Sequence, residues 1–225
     1  MPVDSNAEIE ISAFKWVPAF AQGLVRDLRV RWALEEAGLS YCERLLDAMD
    51  ARPKAYFREQ PFGQVPIYNE GDIRLFESGA IVLHIGKRCE ALLSRKAADR
   101  ARDIAWTIAA LNSVEPKISE LANIDIFYPN EEWAKLRRPD VEKTVRECLS
   151  RLSDWLDGKD YLEERFTAGD LMMSTVLRIL RHTDIVAGYP NLAAYRTRCE
   201  TRPAFQRALE AQLSVFRKHE PATAI

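Results

Sequence analysis

Apolar and polar positions follow two different periods in the first ninety residues. Runs with a period of two predict four strands, at 8–14, 41–46, 65–69 and 73–76. Stretches with a period near 3.6 predict two helices, at 22–37 and 78–87, with a short helix or turn at 53–59 between the second and third strands. The order of these elements is typical of a small mixed domain with one sheet.

From residue 96 onward the apolar positions keep the helical period. Long helices are predicted at 96–121, with a kink at Pro116, and at 141–156, while 123–130 is predicted to be a loop. Further helices are predicted to begin near Thr167, Tyr189 and Arg202. We therefore predict two domains, a mixed one at 1–88 and an all-helical one at 95–225.

One helix start carries a specific signal. Thr167 and Asp170 have the spacing of a capping box, in which each side chain bonds a free backbone N–H of the first turn. This pair is expected to act in folding and not in catalysis.

The composition narrows the class of protein. The chain has 225 residues, of which 47% are hydrophobic and 29% charged, as in a globular protein with a sizeable core. Its formal net charge of −2 gives no electrostatic reason to expect binding to nucleic acid or to an anionic membrane. No apolar run is long enough to span a bilayer, and the N-terminus is acidic where a signal peptide is basic. We predict a cytoplasmic protein with neither nucleic acid nor membrane as partner.

Residues that commonly bind metals or form disulfides are scattered along the chain. The four cysteines include no C-x-x-C pair, and the three histidines lie far apart in sequence. Reduced thiols and no metal site are therefore expected.

The stretch FGQVPIYNEGDIRLFES, residues 62–78, carries the candidate chemistry. Proline cannot donate to a sheet ladder, so Pro66 at the start of a strand calls for an explanation. If the Val65–Pro66 peptide is cis, Val65 presents its N–H and C=O outward, where an extended peptide can pair as an added strand. Glu77 and Ser78 stand at a helix start, where free N–H groups and the hydroxyl suit a carboxylate and Glu77 suits an amine. Together these features favour a γ-glutamyl peptide as ligand; an edge-strand proline and an ordinary helix cap are the alternative.

At these residues the chain resembles the glutathione S-transferase family. FGQVP followed by LFESGAIVLHI resembles the family signature in its thioredoxin-like domain, and VRWALEEAGLSY resembles its first helix. FTAGDLMMSTVL resembles the family's capping-box helix, and YPNLAAYRTRCETRPAFQRAL resembles its closing helices. The resemblance implies an α+β fold in which a thioredoxin-like βαβαββα domain precedes an all-α helical bundle. It also implies a homodimer that uses glutathione as cosubstrate without a metal.

The resemblance assigns glutathione contacts to five positions. Gln64 and Val65 resemble the residues at the glutathione backbone, Val65 through its main chain, and Pro66 resembles the family's cis-proline. Glu77 and Ser78 resemble the pair that binds the γ-glutamyl group.

A basic residue completes the expected glutathione site. Many relatives have one about a dozen positions before the glutamine, facing the glycine carboxylate. Arg52 stands there in this chain, with Lys54 as a nearby alternative, and both fit equally well as solvated surface charges.

The resemblance breaks at the group that activates the thiol. A free thiol has a pKa of about 8.5 and is mostly protonated at neutral pH. Relatives use a Tyr, Ser or Cys near the first helix, whereas residues 24–27 hold none, and Ser12 lies too early and is expected to be structural. The substitutes are a helix N-terminus near Gln22, the Arg26 cation, and a hydrogen bond from the Trp16 indole or the Gln22 amide. A surface ion pair for Arg26 and a domain-interface role for Trp16 are the alternatives.

The expected function follows from the resemblance. Glutathione thiolate attacks a small electrophile, in an enzyme of the detoxification type. A glutathione-binding scaffold without turnover is the main alternative, and a glutathione-dependent dehalogenase, isomerase or ether-cleaving enzyme is a third. Candidates for the wall of the electrophile pocket are Trp106, Ser113 and a loop at Phe127 and Tyr128.

Overall fold

The computed structural model describes residues 3–222, so the ends of the two predicted domains, 1–2 and 223–225, lie outside the described residues. The strands are β1 (Ile9–Phe14), β2 (Tyr41–Leu46), β3 (Ile67–Glu70) and β4 (Ile73–Phe76). The helices are α1 (Asp27–Ala37), α2 (Ser78–Gly86), α3 (Ala97–Ala109), α4 (Glu115–Phe127), α5 (Glu132–Trp155), α6 (Ala168–Arg178), α7 (Pro190–Glu200) and α8 (Pro203–Lys218). No helix among the described residues is long and apolar enough to cross a membrane.

These elements form two compact units. One comprises the chain up to Leu92 together with the chain from Arg202 onward, and the other runs from Leu93 to Thr201. The first unit holds the sheet, and the second is built from α3 to α7. Because α8 packs against α1, it belongs to the first unit although it follows the helical unit in sequence. The domain ranges 1–88 and 95–225 stay a prediction.

The sheet has the strand order β2-β1-β3-β4. Strand β1 runs parallel to β2 and antiparallel to β3, and β4 is antiparallel to β3. This mixed sheet with its helices confirms the predicted α+β class and thioredoxin-like arrangement. Glu10 stands opposite Asn69 and Ile11 opposite Tyr68, so the same register brings the end of β1 beside the residues that precede β3.

The contact between α1 and α8 is apolar at its centre and charged at its edge. Trp32 of α1 is fully buried and meets Phe205 of α8 edge to face, with ring centroids 4.7 Å apart. Burying two such rings is among the larger contributions a helix pair can make to stability. Arg202 donates two hydrogen bonds to Glu36, at 2.7 and 2.8 Å, and so fixes where α8 begins on α1.

In the second unit, the stripe predicted to be one helix at 96–121 is two helices. A π-helical turn at Ala110–Val114 separates α3 from α4, directly before Pro116. Proline has no N–H to donate and its ring displaces the carbonyl of the preceding turn, which is the physical reason for the predicted kink.

The capping box at the start of α6 forms as predicted. The Asp170 carboxylate accepts the Thr167 N–H at 2.8 Å, and the Thr167 hydroxyl accepts the Gly169 N–H at 3.1 Å. Burial raises the pKa of Asp170 to about 6. Gly169 is required for packing, since a Cβ there would stand 2.5 Å from the Trp106 Cβ.

Three predicted boundaries are wrong. The first helix begins at Asp27 and not at residue 22, because turns occupy the chain before it. The loop predicted at 123–130 is largely helical, since α4 continues to Phe127. Helix α5 begins at Glu132, nine residues before the prediction, because its first turns bury only Ala134 and so carry no apolar stripe.

Candidate active site

The loop before β3 presents unpaired backbone. The Val65–Pro66 peptide is cis, as the sequence predicts. The β3 ladder begins at Ile67, and in the described chain no hydrogen bond uses the Val65 N–H or C=O. One donor and one acceptor on the same residue are what an added antiparallel strand needs. The two backbone groups expected to contact a peptide ligand are therefore unused within the described chain, on a residue that is 7% exposed.

A chain of hydrogen bonds holds this loop on both sides of the proline. The Ile67 N–H donates to the Ser12 hydroxyl at 2.7 Å, and the Tyr56 hydroxyl donates to the Gln64 carbonyl at 2.6 Å. The two hydroxyls lie 3.0 Å apart, and because the Tyr56 proton is used on Gln64, Ser12 donates to Tyr56. We call this set the hydroxyl chain. It gives Ser12 a structural role, as predicted, and burial raises the pKa of Tyr56, which keeps the phenol neutral.

The start of α2 has unpaired N–H groups on largely buried residues of the described chain. Ser78 is 5% exposed, and among the described residues the N–H groups of Ser78, Gly79 and Ala80 have no hydrogen-bond partner. Free N–H groups at a helix start attract an anion, aided by the helix dipole. Among the described residues other than glycine, Glu77 alone has a positive φ, 69°, a conformation that is costly for such a side chain. Its carboxylate is exposed and has no partner in the described chain, so it can accept an amine.

Arg29 joins this site and was missed by the sequence analysis. Its guanidinium is 4% exposed and donates to the Ser78 hydroxyl at 3.3 Å. The Ser78 proton therefore remains available to a ligand carboxylate. The signal was present, since Arg29 interrupts an apolar stripe that includes Leu28 and Trp32, and a cation on a buried stripe needs a partner.

Arg52 is committed to its own loop. Its Nε donates to the Gly63 carbonyl at 3.2 Å, and its Nη1 donates to the Asp47 and Asp50 carbonyls at 2.6 and 2.9 Å. The guanidinium also lies over the Phe14 ring, 5.1 Å from the centroid. Only Nη2 has no bond in the described chain, so contact with a glycine carboxylate stays a prediction. Lys54 is exposed.

The segment before α1, residues 15–26, is here called the thiol loop because it carries the three candidates for thiol activation. Turns fold it on itself, with the Ala21 N–H on the Pro18 carbonyl at 2.8 Å and Gly23 at φ 75°. The expected helix N-terminus near Gln22 is therefore wrong. Where α1 does begin, the buried Asp27 carboxylate occupies the helix start, which disfavours a thiolate there.

The three candidate side chains have different surroundings. The Gln22 amide donates to the Val17 carbonyl at 3.1 Å and is committed to the loop. Arg26 is exposed at the residue before α1. Trp16 is half-buried, and its indole N–H is shielded from solvent without a hydrogen-bond partner in the described chain. An unsatisfied buried donor is rare and costly, which singles out Trp16.

A buried polar cluster lies beneath the thiol loop. Asp27 is 1% exposed and accepts from Arg31 Nε at 2.7 Å, while Arg31 also pairs with Glu43. Gln212 of α8 donates to the other Asp27 oxygen, also at 2.7 Å. Burial raises the pKa of Asp27, and the nearby Glu43 carboxylate, which shares Arg31, acts in the same direction.

The candidates for an electrophile wall divide between two places in the helical unit. Trp106 and Ser113 line one cavity of about 360 Å³, together with Trp155 and Cys148 of α5. Phe127 and Tyr128 lie at the end of α4, and Tyr128 lines a different cavity. The predicted wall is therefore not brought together within this unit.

Comparison with known proteins identifies two family domains in the chain. Residues 21–87 match the glutathione S-transferase N-terminal domain, and residues 124–203 match the glutathione S-transferase C-terminal domain. Together these matches cover more than half of the chain.

Named relatives and solved structures agree with these domains. Glutathione S-transferase F10 of Arabidopsis thaliana is 27% identical over 69% of this chain and 74% of its own. Probable glutathione S-transferase GSTF1 of Oryza sativa subsp. japonica is 27% identical over 80% of this chain and 88% of its own. A Pseudomonas putida glutathione transferase, solved with one glutathione disulfide per subunit, has a TM-score of 0.79 at 19% identity, covering 93% of this chain and 94% of its own. At that identity the likeness shows the fold.

Proposed function

Because this chain belongs to the glutathione S-transferase family, we propose that it is a glutathione transferase whose glutathione binds between Val65 and the start of α2. The observation that carries the proposal is the set of unpaired groups at these two places. Val65 offers one backbone donor and one acceptor, and Ser78 begins a helix whose first N–H groups are free. A tripeptide with an amino-acid head matches both.

Each part of glutathione has a partner of suitable chemistry in this proposal. The cysteinyl backbone pairs with Val65, beside Gln64 and Pro66. The γ-glutamyl carboxylate takes the Ser78 hydroxyl and the free N–H groups, with the Arg29 cation close behind them. The γ-glutamyl amine takes the open Glu77 carboxylate. The glycine carboxylate takes the remaining Nη2 of Arg52.

For thiol activation we propose that the Trp16 indole donates its hydrogen bond to the sulfur. Its N–H is a buried side-chain donor of the thiol loop that has no partner in the described chain. A hydrogen bond to the charged form lowers the pKa of a thiol. Arg26 is more exposed to solvent, which screens its charge, so it stabilises the thiolate less. The Gln22 amide holds the loop.

Calorimetry with glutathione tests the binding half, and conjugation of a panel of soft electrophiles tests the chemistry. We expect binding at millimolar glutathione or below and thiolate-dependent conjugation. Absence of binding at millimolar glutathione would falsify the proposed site.

Two other functions remain defined alternatives. A glutathione-binding scaffold is favoured by the absence of Tyr, Ser or Cys at residues 24–27, and it predicts binding without turnover on any electrophile. Dehalogenation, isomerisation or ether cleavage would use the same binding half. Assays of these reactions and of glutathione-dependent disulfide reduction, beside the conjugation assays, separate these cases.

We also propose that the chain acts as a homodimer. Phe62 is 67% exposed beside the glutathione loop, and the helical unit carries an open cavity walled by Trp106 and Trp155. In the proposed dimer, the exposed ring of one copy packs into the aromatic cavity of the other. A twofold axis makes this contact occur twice.

Light scattering on the purified protein tests the dimer. Phe62→Ser is expected to shift the mass toward the monomer, while Met49→Ser, which removes another exposed apolar side chain, leaves it unchanged. A dimer that is unaffected by Phe62→Ser means that this contact is absent. A cytoplasmic location, where glutathione is kept reduced, and a role in detoxification belong to the same proposal.

A further inference from the structure

We propose that Gln212 of α8 is a positioning residue for thiol activation. It acts by holding the thiol loop in place from a helix that lies almost two hundred residues away in sequence. This inference rests on the proposed function, because it concerns how the loop that carries Trp16 is placed against glutathione.

Gln212 is fully buried and uses its amide on three groups. Its Oε1 accepts the Gly23 N–H at 3.1 Å, and its Nε2 donates to the Val25 carbonyl at 3.2 Å and to the Asp27 carboxylate at 2.7 Å. The amide thereby joins the end of the thiol loop to the first residue of α1. A glutamine amide has one acceptor oxygen and two N–H donors, which match the one N–H and the two oxygens that Gln212 contacts.

Several other bonds of the thiol loop join residues within the loop. The Ala21 and Leu24 N–H groups bond to the Pro18 and Ala21 carbonyls, and the Gln22 side chain bonds to Val17. These bonds fix the shape of the loop. The Lys15 N–H, which bonds to the Leu46 carbonyl at 2.8 Å, ties its beginning to β2, and Gln212 ties its end.

The chemistry of the contact excludes close substitutes. Glutamate has the shape of glutamine but would set a second carboxylate against Asp27 and the Val25 carbonyl. Methionine has a similar volume, but it removes one hydrogen-bond partner each from the Gly23 N–H, the Val25 carbonyl and Asp27. The loss of a hydrogen bond at a buried polar group costs stability. A change at Gln212 therefore removes the contact between α8 and the end of the thiol loop, even where the helix keeps its packing.

The test compares Gln212→Met and Gln212→Glu with Ser214→Ala, at an exposed position on the same helix. Each variant is titrated with glutathione by calorimetry. The pKa of the bound glutathione thiol is then read from the ultraviolet absorbance of its thiolate over a pH series. Exchange of the Gly23 amide is followed by hydrogen exchange, and thermal unfolding reports whether each variant is folded.

For Gln212→Met we expect faster Gly23 exchange, a thiol pKa shifted back toward its free value, and kcat lower by about tenfold or more, as for a misplaced catalytic group. The Kd for glutathione should change by less than about threefold, since binding uses Val65 and Ser78. If Gln212→Met does not fold, the Gln212→Glu variant carries the test. The same faster Gly23 exchange and the same return of the thiol pKa toward its free value are then expected, because the added carboxylate repels Asp27.

An unchanged thiol pKa in a folded variant whose Gly23 amide exchanges faster overturns the inference. So does an unchanged Gly23 amide. If the unmodified protein does not bind glutathione, or binds it without lowering its thiol pKa, the proposed function itself has failed, and the two failures are told apart by that control.

Discussion

The two loops that form the candidate site are built in opposite ways. The loop before β3 is held by residues of its own unit that come before it in sequence, through the hydroxyl chain of Ser12 in β1 and Tyr56 in a short 3-10 helix. The thiol loop is held at its end by Gln212, from the last helix. The first loop is fixed by two hydroxyl groups and by the Arg52 guanidinium, and the second is joined to a buried cluster that contains Asp27 and Arg31.

The proposed function accounts for this difference, because each loop would recognise a different part of glutathione. A peptide ligand offers backbone groups, so the proposed partner is also backbone, placed by the short motif FGQVP. A thiolate can be stabilised by any nearby donor or cation, so the thiol loop is free to differ in sequence. The binding loop therefore has a readable motif, and the thiol loop has none.

The largest expected effect separates the loops by function. Trp16→Phe removes the indole N–H but keeps an aromatic ring, and it should lower kcat by about 100-fold, as for loss of one preorganised donor to a developing charge. The Kd for glutathione should stay within a factor of about two, since binding uses the other loop. Steady-state kinetics with calorimetry measure both. A drop in affinity with unchanged kcat would place Trp16 in binding instead.

Ser78→Ala makes the reverse prediction. The loss of a hydrogen bond to a ligand carboxylate should weaken glutathione binding by about 1–2 kcal/mol, which is roughly tenfold, with kcat at saturation little changed. Calorimetry gives the affinity, and Ser214→Ala, on the exposed face of α8, is the control. Equal affinities of Ser78→Ala and the unmodified protein would remove the start of α2 from the site.

Tyr56→Phe tests whether the hydroxyl chain matters to binding. It leaves the Gln64 carbonyl and the Ser12 hydroxyl with one partner fewer, which costs about 1 kcal/mol. Part of that loss should appear in the Kd for glutathione as an increase of about threefold, because Gln64 and Val65 are less well held. The matched control is Tyr189→Phe, whose hydroxyl bonds in the helical unit. No change in Kd would confine the hydroxyl chain to folding.

The smallest expected effect is a slope with pH. Burial raises the pKa of Asp27 above its ordinary value of 3.8, so over the window between the two values the folded protein keeps a proton that the unfolded chain releases. The stability from this group is full below that ordinary value and is lost as pH rises through the folded pKa.

Urea unfolding over a pH series checks this slope in the unmodified protein, in Asp27→Asn and in the exposed control Asp50→Asn. The free energy of unfolding of the unmodified protein minus that of Asp27→Asn should fall as pH rises across the window. A difference that is flat with pH would show that Asp27 stays ionised, paired with Arg31.

Most of the fold could be predicted because core positions repeat with the period of their element. The predictions failed where the chain carries no such stripe, as in the mostly exposed first turns of α5, or where turns precede a helix, as before Asp27. The motif FGQVP predicted the cis peptide, and the pair Glu77-Ser78 predicted the start of α2. The Gln212 contact could not be predicted, because an isolated glutamine in a helix gives no sign of which distant carbonyl and N–H it meets.

The packing of α8 against α1 has a consequence for folding during translation. Trp32 needs Phe205 for part of its burial, and Asp27 needs Gln212, so both wait for the last tenth of the chain to leave the ribosome. Domains usually fold from the N-terminus during synthesis, but here we expect α1 to complete its packing only when translation is nearly over. In a nascent chain stalled before Arg202, we expect the Trp32 indole to be exposed to solvent. We also expect proteases to cut the sheet readily.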